Sequence, residues 1–339
     1  MRIIDGHTHL MNRRPEKLIE MADSFGYDRF SVMAIPCHDR PVNTLECLVM
    51  KLKAPEKVYC YGGMTYTETL RPTADGHLKQ LELMMDAGCD GWKILESKPS
   101  YYRKLRLPLD GEVFAKAFAM AEAEQIPITW HAGDPATFWD AEKAPAFAVE
   151  NNWLCIGEGY PTLEEIYHQV EAVLARHPKL RAALAHLYFI SDDRAHGERL
   201  LDAYENFWLD ITPGSEMYQA FMDDREGWTA FFKKYRDKLV FGTDMVDDEG
   251  DFVFGSQSTI TGMVLKTLAD DKPFTVGDIS GTGLGLEEDV LSKVFHDNFI
   301  RRNGPKPKPI NRAGVEAYAE WLLPWLNAED RKFCEELMK

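Results

Sequence analysis

The sequence has no apolar run of about 18 residues, the length a membrane-crossing helix needs, so neither such a helix nor a membrane partner is expected. It also lacks any excess of basic residues. Its 39 Lys+Arg stand against 55 Asp+Glu, a formal net charge of −16. A surface of that sign repels phosphate backbones and anionic lipid, which argues against nucleic acid as a partner. An anionic substrate is not excluded, because a bound metal dominates the field in its own site. Cysteine is sparse: Cys37, Cys47, Cys60, Cys89, Cys155 and Cys334 are scattered, with no C-x-x-C pair. That usage fits reduced thiols and a cytoplasmic location rather than a disulfide framework. The opening MRIIDGHTHL is not a signal peptide, since Asp5, His7 and His9 interrupt any apolar stretch. Internal repeats and low-complexity segments are missing too.

What is present is a large supply of apolar residues, 45% of 339, ample for one extended core. Eight short apolar segments read as strands: Arg2–His9, Arg29–Pro36, Val58–Tyr66, Gly91–Glu96, Pro127–Ala132, Ala182–Tyr188, Phe207–Thr212 and Leu239–Met245. Several are nearly continuous in apolar residues (VYCYGGM, ALAHLYFI), as strands covered on both faces are. Helical patterns lie between most of them. One begins at Thr162 with Glu165 at capping-box spacing and stops at Pro178. Strand and helix alternate, which predicts a parallel sheet, and eight units suit a closed (β/α)8 barrel. The reading is a single barrel over residues 1–304 and a C-terminal helical extension over 305–339, with a final helix at Gly314–Leu326. Two long connections, 133–161 and 246–285, are expected at the mouth of the barrel, where active sites are built.

Chemistry concentrates at the predicted strand ends. Alternate residues of a strand share a face, so Asp5, His7 and His9 point the same way, and two imidazoles so placed can chelate one divalent ion. His131 ends the fifth strand, His186 lies in the sixth and Asp244 ends the eighth. Taken singly, each has an ordinary structural reading: a bonded core histidine, or a helix-capping aspartate. Barrel closure would bring them into one mouth, and three imidazoles with a carboxylate suit Zn, Mn or Fe.

DGHTHL at the N-terminus, these later His and Asp positions, and the tail LEEDVLSKVFHDNFIRRNG resemble the amidohydrolase superfamily over roughly residues 1–304. The tail resembles its amidohydrolase-2 branch, which includes the aminocarboxymuconate-semialdehyde decarboxylase group. The resemblance implies a metal-dependent barrel with His7, His9, His131 and Asp244 as ligands. It implies His186 as a catalytic or substrate-polarising group. Lys93, in CDGWKILES, has two readings. Some binuclear superfamily members carry a carbamylated lysine there that bridges two metals; the amidohydrolase-2 likeness points to one metal, Zn first among Zn, Mn and Fe, with Lys93 left to bind a substrate anion. His38, Arg40, Asp134, Trp139 and Tyr188 are further candidates for substrate contact. His168, His177 and His196, on helices, and the run Asp247, Asp248, Glu249 and Asp251 read as solvated surface.

The expected activity is hydrolysis of a small-molecule amide, ester or lactone. Asp244 would take the proton of a metal-activated water, and His186 would polarise the scissile carbonyl. Two alternatives stand beside it: non-oxidative decarboxylation of an unsaturated or aromatic acid, and a catalytically silent barrel used as a binding protein. The expected partner is a small-molecule substrate, and self-association into a homo-oligomer stays open.

Overall fold

A computed structural model describes residues 1–36, 40–214, 216–248 and 256–338. Nine strand segments form one parallel sheet: β1 (Ile4–His9), β2 (Arg29–Met33), β3 (Val58–Gly63), β4 (Gly91–Ser97), β5 (Pro127–Ala132), β6 (Arg181–Leu184), β7 (Phe207–Asp210), β8 (Leu239–Val240) and β9 (Met245–Val246). Their order is β8-β7-β6-β5-β4-β3-β2-β1-β9. β8 and β9 are two pieces of one chain passage, β8 pairing with β7 and β9 with β1. Between them Gly6 N donates to Phe241 O at 2.9 Å and Asp244 N donates to His7 O at 2.9 Å. The eighth strand is thus the seam that closes a (β/α)8 barrel. A Cβ on Gly242 would lie 2.6 Å from the Cβ of His7, so glycine lets the seam run close beside β1.

The strands are buried along almost their whole length, as near-continuous apolar runs imply. The outer layer is helical. The capping box is present: Thr162 N donates to Glu165 Oε2 at 2.7 Å, and Glu165 N to Thr162 Oγ1 at 3.1 Å. The helix Asn43–Lys53, absent from the sequence reading, supplies the crossover between β2 and β3.

Three expectations are corrected. The sixth strand ends at Leu184 rather than Tyr188, because His186, Leu187, Tyr188 and Phe189 all take left-handed backbone angles, with φ of 53°, 52°, 57° and 54°. The connection 246–285 is not a plain loop: it holds the helix Gln257–Ala269 and an antiparallel hairpin, β10 (Pro273–Val276) and β11 (Ile279–Thr282). The final helix is Arg312–Leu322, followed by a short 3-10 turn, Leu323–Trp325, and the helix Ala328–Leu337. Gly314 brings that first helix against the backbone of Asp86, where a Cβ would stand 2.6 Å from its carbonyl oxygen. Arg13 pairs with both Glu46 and Glu329, tying the last helix to the loop after β1.

Candidate metal centre and active site

β1 places Asp5, His7 and His9 on one face. His7 and His9 are buried, with ring centroids 5.0 Å apart. Asp244, at the break in the eighth strand, holds a left-handed φ of 61° that aims its carboxylate at them. Its Oδ1 lies 3.1 Å from His9 Nε2 and 3.7 Å from His7 Nε2. One donor atom from each of these residues falls within 4.8 Å of the others.

The outer nitrogens fix the tautomers. His7 Nδ1 donates to Asp210 Oδ2 at 2.6 Å, and His9 Nδ1 donates to the Met33 carbonyl at 2.8 Å. A carbonyl only accepts, so His9 carries a proton on Nδ1, and in the neutral ring the Nε2 lone pair turns inward. Two imidazole nitrogens and a carboxylate oxygen therefore converge, an arrangement that a divalent cation can fill. This donor set fits a divalent ion of the Zn, Mn or Fe type, and carboxylate-anchored imidazole is a recurrent support for such ligands.

Lys93 projects from β4 to the same point, its Nζ donating to His7 Nε2 at 2.8 Å. Burial drives the Lys93 pKa down to about 8. Burial, and then the Lys93 charge, push His7 down to about 3. Asp210 is buried, which works against ionisation, but its close pairing with His7 and the bonds from Thr212 prevail and hold it below the usual carboxylate range. For Asp244 burial is likewise outweighed, here by His9 first and then His7 and His186, so it stays ionised. Asp5 sits behind the trio, accepting from His7 N at 3.1 Å, Thr243 N at 3.1 Å and the Thr243 hydroxyl. Desolvation raises its pKa to about 7.

A cavity of about 200 Å³ opens over Asp244. His186 and His131 line it, their rings 4.8 Å apart. His186 Nδ1 donates to the Pro213 carbonyl at 3.2 Å, which leaves Nε2 as an acceptor, and burial lowers its pKa, so the ring is neutral. His131 stands apart from the trio. Its Nε2 faces Asp134 Oδ1 at 3.3 Å and Lys98 Nζ at 3.4 Å, and burial, then the Lys98 charge, keep it neutral. Asp134 lines the cavity and accepts from Lys98 Nζ at 2.6 Å. Phe138, Phe147, Trp153 and Phe189 form the apolar side.

Other sequence candidates lie elsewhere. Arg40 donates to the Leu10 and Met11 carbonyls and pairs with Glu46, six residues on, so its charge is spent in the loop. Trp139 turns away, its Nε1 donating to the Pro161 carbonyl at 2.8 Å. Tyr188 is wholly buried against Tyr167 and His196, because the left-handed turn carries it behind the wall. Asp247 is no solvated charge: it is buried and accepts from Met11 N, Asn12 N and Arg14 N. His38, Glu249 and Asp251 lie outside the described residues. Sequence reasoning missed Asp210 and Lys98. Asp210 ends its strand as Asp244 nearly ends the next, a signal that was available; nothing local marks Lys98.

Among known proteins, a family model described as Amidohydrolase matches residues 67–301. The match begins after β3, so His7 and His9 rest on geometry alone. No curated protein matches the chain in sequence. An uncharacterized TIM-barrel protein from Bordetella bronchiseptica superposes with a TM-score of 0.60 at 13% identity, covering 89% of this chain and 98% of that one. A probable 2-pyrone-4,6-dicarboxylic acid hydrolase from Acinetobacter baumannii gives 0.54 at 11% identity, over 90% of this chain and 100% of that one. A 4-oxalomesaconate hydratase from Rhodopseudomonas palustris gives 0.54 at 11%, over 89% and 95%. At these identities the likeness shows the fold.

Proposed function

Since the chain belongs to the amidohydrolase family, whose members are generally metal-dependent, we propose that it is a hydrolase of a small-molecule amide, ester or lactone and uses one divalent metal. The observation that carries this reading is the convergence of His7 Nε2, His9 Nε2 and Asp244 Oδ1 at the floor of a cavity that His186 also faces. A hydrolase and a hydratase among the proteins of similar fold agree with water as the reacting partner.

His7, His9 and Asp244 would hold the ion, with Asp210 and the Met33 carbonyl orienting the two rings. When bound, the ion supplies Lewis acidity, which acidifies water and polarises a carbonyl. Asp244 is ionised and reaches the cavity, so its second oxygen can take the proton of an attacking water and return it to the leaving group. For His186 the orientation of the ring supports a catalytic role as an acceptor. A neutral ring with its proton on Nδ1 cannot donate to a carbonyl, so His186 accepts, orienting the water or relaying its proton. The proposal is for one ion, with Lys93 lying beside His7 as a positive group at the edge of the site.

Asp244→Asn keeps the shape but loses the charge and the proton acceptor. The turnover of a lactone, ester or amide found by screening should fall by roughly two to four orders of magnitude, the usual general acid–base contribution. Near wild-type turnover would show that Asp244 is a structural group only.

A further inference from the structure

Given the hydrolytic reading, the lining of the cavity narrows the substrate. Among the described residues no arginine lines it and Lys98 is its one lysine, already committed to Asp134 at 2.6 Å. Lys93 is 2% exposed and does not reach the lining. Beyond the ion itself, a polycarboxylate entering here would find no uncommitted cation in the described lining, and one of its charges would meet the Asp134 carboxylate.

The rest of the lining favours the opposite kind of molecule. Phe138, Phe147 and Trp153, all from the connection after β5, pack edge to face or tilted with centroids 6.0 to 6.5 Å apart, and Phe189 and Ile260 join them. Such a wall recognises an aromatic ring by edge and face contacts. Gln257 adds a neutral polar group. It is 3% exposed, lines the cavity, and its Oε1 finds no hydrogen-bond partner among the described residues. A buried carboxamide that can both accept and donate suits an uncharged head group. The volume of about 200 Å³ matches one ring with a short acyl group.

We propose that the cavity selects neutral substrates carrying one aromatic ring, of the aryl lactone, aryl ester or anilide class, and rejects polycarboxylates. The full chain supplied with zinc would be titrated calorimetrically with dihydrocoumarin, a neutral aryl lactone, and with 2-pyrone-4,6-dicarboxylate, and product would be followed by chromatography. Dihydrocoumarin should bind at least about tenfold more tightly. Phe147→Ala, and independently the more exposed Trp153→Ala, should each weaken it by about tenfold. Asp134→Asn frees Lys98 and should raise affinity for the dicarboxylate by about tenfold. Equal or tighter wild-type binding of the dicarboxylate, or no binding of the lactone below millimolar concentration, overturns the proposal. Tight lactone binding without turnover would leave the selectivity standing and count against the hydrolytic reading of the site. Turnover of the dicarboxylate with the preference reversed would do the opposite.

Discussion

At the scale of single residues, the site depends on protons placed by partners outside it. Asp210 decides which nitrogen of His7 faces the cavity and raises the basicity of that nitrogen. Asp210→Asn keeps an acceptor but removes the charge, so affinity for zinc, measured by competition with a chelator, should fall about 10- to 100-fold, the usual effect of losing such support. Unchanged affinity would mean that Asp210 only packs against the ring. The histidine pair could be read from the sequence because period-two spacing on a strand places side chains on one face whatever the rest of the chain does. Arg40 was misread for a reason of equal generality. A lone cation near a strand end looks like a ligand group until a carboxylate close in sequence, here Glu46, claims it.

At the scale of elements, the sequence shows where strands lie but not where they break. ALAHLYFI reads as continuous strand, yet only Arg181–Leu184 is strand. The next turn is left-handed at four positions that are neither glycine nor asparagine, each disfavoured by about 1–2 kcal/mol, so only tertiary packing can hold them. The eighth strand is interrupted in the same way at Asp244, where the break turns the carboxylate toward β1. Asp247, just beyond, locks that seam: its carboxylate takes the N–H groups of Met11, Asn12 and Arg14, a task that no side chain of the Arg14 cap itself performs for the helix Pro15–Ser24. Asp247→Ala would leave those donors to water, and we expect a loss of about 2 kcal/mol in urea unfolding. A loss below a few tenths of a kcal/mol would show that the loop stands without it.

At the scale of the whole molecule, the fold carries a buried titrating cluster away from the active site. His77 Nδ1 donates to the Thr73 carbonyl at 3.0 Å, so its Nε2 accepts from the Tyr66 hydroxyl at 2.9 Å, and that hydroxyl oxygen also lies 2.7 Å from Glu96 Oε1. Burial lowers the His77 pKa from 6.5 to about 4. Between those values the unfolded chain binds a proton that the folded one refuses, so the contribution of His77 to stability is lost as pH falls from 6.5 towards 4. Down to pH 5 it should amount to about 2 kcal/mol. Glu96, its pKa raised by burial, acts in the opposite sense, so the comparison is between wild type and His77→Gln: the variant should lose less stability from pH 7 to pH 5. An identical loss in both would place the acid sensitivity elsewhere.

The central claim is that β1 and the broken eighth strand together hold one metal ion. Its most direct test is elemental analysis of the purified protein after exhaustive dialysis, beside a variant carrying His7→Ala and His9→Ala. The account predicts about one equivalent of Zn, Mn or Fe per chain in the wild type, and next to none in a variant whose circular dichroism still shows a folded barrel. One equivalent surviving the double substitution would contradict it.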